Sequence, residues 1–144
     1  HTGLGPSGLG ERIFACKDDP VALQRARQWW GGDGATPITS TYDGSSSSAK
    51  LTGLMWNSVY EECPQAEYTA IAMEYGTLPI LQMIEALLAD HWLHLHPQAD
   101  PALARRIHQQ MLDAFYVDTD VWRGQIYAQA RQALFQGLAG LAGR

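Results

Sequence analysis

The segment Tyr68-Thr69-Ala70-Ile71-Ala72-Met73-Glu74-Tyr75-Gly76 is almost uninterruptedly apolar and lies between Gln65 and Gly76. A run this short, bounded by polar and turn-forming residues, suits a central strand covered on both faces, as in a parallel sheet. That places the chain in the α/β class. The exception inside the run is Glu74, near its C-terminal end. A carboxylate there is costly unless it is paired, hydrogen-bonded or metal-linked. Ligands of open α/β sheets bind beyond the carboxyl ends of the strands, so Glu74 is a candidate catalytic residue. A salt-bridged or capping Glu at a strand edge explains the same pattern, and both readings stay open.

The rest of the chain reads around that strand. His1 to Gly10 holds four glycines and a proline, which predicts a loop of unusual torsions rather than helix or regular strand. Glu11 to Cys16 suits a strand. Asp19-Pro20 starts a helix that buries Val21, Leu23, Ala26 and Trp30 and stops at Gly31-Gly32. Gly32 to Lys50, rich in Gly, Ser and Thr, predicts a long mobile loop bordering the active-site mouth. Leu51 to Cys63 reads as a helix closed by Pro64. Three helices follow. Thr77 caps the first, with Leu81, Ile84, Leu88, Trp92 and Leu95 as its buried face. Asp100-Pro101 starts the second, carrying Leu103, Ile107, Met111 and Phe115. Asp118 or Asp120 starts the third, with Trp122, Ile126, Ala130 and Leu134, and its glycine-rich end should fray.

Composition narrows the function. Nearly half of the 144 residues are apolar and the net charge is -5, with the ten Lys and Arg scattered. Phosphate binding needs a clustered basic face, so nucleic acid is a poor partner, and no apolar stretch is long enough for a membrane span. Cys16 and Cys63 form no metal-type pair. Free thiols in a reducing compartment point to a cytoplasmic location, while a single disulfide stays open. His91 and His94 share a helical face, with His96 nearby, but no carboxylate falls at a motif spacing. A helix C-terminus favours imidazolium there in any case. The run Ser45 to Ser48 lacks a nucleophile elbow. His1 precedes backbone that a ligand can approach closely; taken alone, a histidine at a chain start is far more often an ordinary surface residue than a ligand.

His1-Thr2-Gly3-Leu4-Gly5-Pro6, followed by Gly8, Gly10 and Glu11, resembles the segment after a central strand in an uncharacterised bacterial branch of the zinc-carboxypeptidase superfamily. Ala70-Ile71-Ala72-Met73-Glu74-Tyr75-Gly76-Thr77 resembles a later strand of that branch, and the likeness extends through Asp90-His91-Trp92-Leu93-His94 and Asp113-Ala114-Phe115-Tyr116-Val117. The resemblance implies an α/β fold: residues 1–144 would be the C-terminal part of a zinc-carboxypeptidase-like mixed sheet flanked by helices, ending in a helical segment. It implies zinc as cofactor, with His1 as the last of three ligands, Glu74 as general base and Tyr42 as a substrate contact. The family's His-x-x-Glu ligand pair is absent from the chain, so the remaining ligands are expected upstream. No signal peptide is visible, and a start at His1, inside a motif, predicts preceding polypeptide.

The expected function is therefore a zinc-dependent hydrolase of an amide bond, acting on a peptide C-terminus or a small N-acyl compound, present here as half a site. A sheet cut through its middle would also leave apolar surface that drives self-association. The rival is a non-catalytic helical binding or structural module in which Glu74 is structural.

Overall fold

A computed structural model describes residues 1–31 and 37–143. The fold is mixed α/β, with four strands and five helices among the described residues. The strands are β1 (Thr2–Ser7), β2 (Gly10–Phe14), β3 (Ile38–Ser40) and β4 (Ala72–Gly76). The helices are α1 (Pro20–Trp30), α2 (Asn57–Glu62), α3 (Ile80–Leu95), α4 (Pro101–Phe115) and α5 (Asp120–Ala142). The hydrogen-bonded strand order is β1-β4-β2-β3. The chain forms two compact units, His1–Gly10 with Glu74–Tyr127 and Glu11–Met73 with the residues from Ala128 onward, so β4 contributes to both. No helix among the described residues is long and apolar enough to cross a membrane.

In the first unit β1 runs parallel to the end of β4, pairing Thr2 with Tyr75 and Gly3 with Gly76. The glycine-rich segment is thus a strand where a loop was expected, though an irregular one. Gly3 and Gly5 have φ of 151° and 104°, and the register slips so that Ser7 also faces Gly76. Glycine allows both: only a residue without Cβ takes these torsions cheaply. The chain then folds back over β4, with Gly8 N donating to Gly76 O at 3.0 Å and Gly76 N to Leu9 O at 3.1 Å. Trp122 Nε1 donates to Gly76 O at 3.0 Å and anchors the start of α5.

Helix α4 begins as the sequence dictates. Asp100 Oδ1 accepts from the amides of Ala102 and Leu103, each at 3.0 Å, with Pro101 in the first turn. Helix α3 departs from expectation twice. Pro79, not Thr77, occupies its N-cap and makes no side-chain cap bond. Its buried residues are Met83 and Ala86, while Leu81, Ile84, Leu88, Trp92 and Leu95, expected inside, are exposed. The helix is apolar on more than one side, so periodicity alone does not choose which face turns inward.

In the second unit β2 and β3 are parallel, pairing Arg12, Ile13 and Phe14 with Ile38, Thr39 and Ser40. Asp19 caps α1 as expected, its Oδ1 accepting from Val21 N at 2.8 Å, worth about 1 kcal/mol. Ala22, Ala26 and Trp30 line the buried side of α1; Val21, expected there, is exposed. The core gathers Phe14, Cys16, Ala22, Ala26, Trp30, Ile38 and Ala133. The end of α5 stays helical through Ala142 instead of fraying, because its glycines admit indoles. A Cβ at Gly137 would stand 3.1 Å from Trp30 Cζ2, and one at Gly140 would overlap the Trp29 ring. Trp30 Nε1 also donates to Ala133 O at 2.8 Å.

The expected loop from Gly32 to Lys50 is only partly one. Gly32 to Thr36 lie outside the described residues, and the remainder contains β3 and a fully buried Ser40. Helix α2 starts six residues later than expected, since Gly53 sits at φ 73°, off the helical path. Strand β4 is shorter than the apolar run that predicts it. Tyr68, Ala70 and Ile71 precede it outside any strand and pack against the core, where Cys16 Sγ donates to Ala70 O at 3.3 Å. Both cysteines are free thiols, Cys16 buried and Cys63 exposed.

Candidate active site

Glu74 is the third residue of β4, and β1 begins directly beside it because Tyr75 N donates to His1 O at 3.0 Å. That ladder bond brings together the two residues singled out from sequence. His1 Nδ1 lies 3.9 Å from Glu74 Oε2, longer than a hydrogen bond but within ion-pair reach. The two differ in setting: the His1 side chain is 83% exposed and that of Glu74 only 14%. A carboxylate this enclosed requires a donor, and it has one in the backbone. Leu4 N donates to Glu74 Oε1 at 3.1 Å, leaving Oε2 on the His1 side.

Gly3 makes that close approach possible. A Cβ there would stand 3.3 Å from Glu74 Oε1 and 3.2 Å from Phe115 Cε1, and a φ of 151° disfavours any side chain. Behind it Thr77, itself buried, donates from N to Gly3 O at 3.2 Å. The Thr77 hydroxyl lies 2.6 Å from Ala114 O and 3.1 Å from Gly3 O. Sequence reasoning read Thr77 as a helix cap and missed this. The available signal was its place directly after Gly76, where the strand has ended but the helix has not begun.

Tyr42 belongs to the other unit. Its hydroxyl donates to Cys16 O at 2.6 Å, its ring packs against that unit's core, and Lys50 Nζ sits 5.1 Å above the ring. Burial, with smaller contributions from Asp18 and Cys16, raises its pKa above the ordinary 10.0. The serine run is likewise engaged locally. Ser45 Oγ accepts from Ser40 N at 2.9 Å, and Ser47 donates to Glu11 from both its amide and its hydroxyl. Just past the end of α3, His96 stacks on Trp92 with ring centroids 4.1 Å apart, its Nδ1 2.7 Å from Trp92 O. No three of the described His, Cys, Asp and Glu residues converge as a metal site. Among the described residues His1 and Glu74 offer a single imidazole with a carboxylate beside it, whereas catalytic zinc takes three protein ligands.

Residues 1–129 match the family described as "Protein of unknown function (DUF2817)", and the chain belongs to that family. No curated protein and no solved structure matches it.

Proposed function

We propose that this DUF2817 member carries one metal ligand, His1, and the general base, Glu74, of a zinc-dependent hydrolase of an amide bond. The reading rests on one observation: an enclosed carboxylate at the C-terminal end of a strand, held by a backbone amide on one oxygen and facing an exposed imidazole at 3.9 Å on the other. Zinc, when bound, lowers the pKa of its water and polarises a carbonyl. Glu74 takes a proton from the attacking water at Oε2 and returns it to the leaving amine, while the Leu4 amide holds Oε1 still. His1, exposed at one side, supplies an imidazole nitrogen. Further ligands come from polypeptide beyond the described residues, because one imidazole does not hold catalytic zinc. The substrate class is a peptide C-terminus or a small N-acyl compound, the resemblance to zinc carboxypeptidases being its only support. Two unpaired thiols favour a reducing, cytoplasmic setting.

A second reading, a non-catalytic binding module, draws on the exposed apolar side of α3. The natural full-length polypeptide separates the two. There Glu74→Gln lowers turnover of peptide or N-acyl substrates about 10²–10⁴-fold with metal retained, as loss of a general base does. His1→Ala loses zinc as well as turnover. A protein that purifies without stoichiometric zinc, or a Glu74→Gln variant with near-normal turnover, sinks the hydrolase reading.

A further inference from the structure

The Gly3–Leu4 peptide group is gripped from both sides. Its carbonyl oxygen, Gly3 O, accepts from Thr77 N at 3.2 Å and lies 3.1 Å from Thr77 Oγ1. Its N–H, on Leu4, donates to Glu74 Oε1 at 3.1 Å. A peptide group is planar, so fixing the oxygen fixes the direction of the N–H. Thr77 is 5% exposed, and its hydroxyl is itself held by Ala114 O of α4 at 2.6 Å and lies 3.6 Å from Met83 Sδ of α3. The hydroxyl has one proton and the closer acceptor is Ala114 O, so Thr77 N carries the bond to Gly3 while the hydroxyl locks Thr77 in place.

We infer that Thr77 is a positioning residue for Glu74, acting through the plane of the Gly3–Leu4 peptide. Its backbone and hydroxyl set that plane against α4, and the plane aims the Leu4 amide at the carboxylate. The inference deepens the hydrolase reading and rests on it for its catalytic consequence, but the orientation itself is independent of any reaction. Thr77→Val keeps the volume and the backbone bond yet removes the anchor to Ala114, and Thr77→Ser keeps the hydroxyl.

The test follows the Leu4 amide by NMR together with turnover. Thr77→Val is expected to shift the Leu4 amide proton upfield and speed its exchange about tenfold or more, while Thr77→Ser stays near wild type. In the natural full-length polypeptide Thr77→Val lowers kcat about tenfold with KM held, and serine restores it. If the valine variant does not fold, Thr77→Cys, a weaker donor of similar size, takes its place. An unchanged Leu4 amide in a folded valine or cysteine variant overturns the inference. Near-normal turnover in Glu74→Gln overturns the hydrolase reading instead and leaves the amide result standing, so the two failures are distinct.

Discussion

At the scale of single residues, the site depends on atoms that are missing as much as on atoms present. His1 and Glu74 come within 3.9 Å only because β1 passes β4 closely, and Gly3 and Gly76 are what permit it. A Cβ on Gly76 would fall inside the van der Waals radii of the carbonyl oxygens of Gly5 and Pro6, both backbone and unable to swing away. Gly76→Ala should therefore destabilise the fold by about 3 kcal/mol, the upper end of ordinary overpacking, by forcing β1 off β4. Urea unfolding measures that cost. A loss below about 0.5 kcal/mol, the size of a neutral surface change, would mean β1 does not sit where the structure has it. This residue logic was half legible in the sequence. The glycine pattern announced close backbone approach, and the lone acid in an apolar run announced a special setting. That β1 is the element approaching was not legible, because four glycines in ten residues read as loop by every local rule.

At the scale of elements, caps and turns were readable and faces were not. Asp19-Pro20 and Asp100-Pro101 start helices because their carboxylates reach two amides each, a local interaction that needs no tertiary context. Strand β3 was hidden inside a Ser- and Thr-rich stretch because its stability comes from across the ladder. Glu11, the second residue of β2, accepts from Thr39 Oγ1 at 2.6 Å and Ser47 N at 3.1 Å, tying β3 and the loop after it to the sheet. Burial pushes the Glu11 pKa up, but the bonds from Ser47 and Thr39 outweigh it and hold the carboxyl below the ordinary 4.5. A group whose pKa is depressed by folding stabilises the native state above its unfolded pKa and stops doing so as pH falls through the folded value. Wild type should thus exceed Glu11→Gln in melting temperature at pH 7, with the gap closing only below pH 4.5, the ordinary value for this carboxyl. Thermal melts of both proteins across the acid range check this. A gap that is constant with pH would assign the difference to packing rather than to the charge.

At the scale of the whole molecule, the decisive feature is α3, whose inward face is Met83 and Ala86 and whose outward face is larger. Ile80, Leu81, Ile84, Leu87, Leu88, Trp92 and Leu95 are all between 40% and 71% exposed. Scattered apolar residues on a surface need no explanation, but seven on one helix form a patch of the kind that marks an interaction surface. Sequence periodicity named five of these seven as core. The structure instead leaves all five exposed, since a helix that is apolar on more than one side does not fix by periodicity which face turns inward. The exposed apolar area has the cost of hydration, and association is the direct way to remove it. The chain is therefore expected to self-associate in sedimentation at micromolar concentration. Leu81→Glu with Leu88→Glu should return it to monomer without loss of melting temperature, since neither side chain is buried in the fold. Salt sharpens the reading: apolar association holds or strengthens with sulfate, whereas charge-driven association weakens with ionic strength. A chain that stays monomeric at about 100 μM, where an interface worth about 5–6 kcal/mol would be half formed, removes α3 as an association surface.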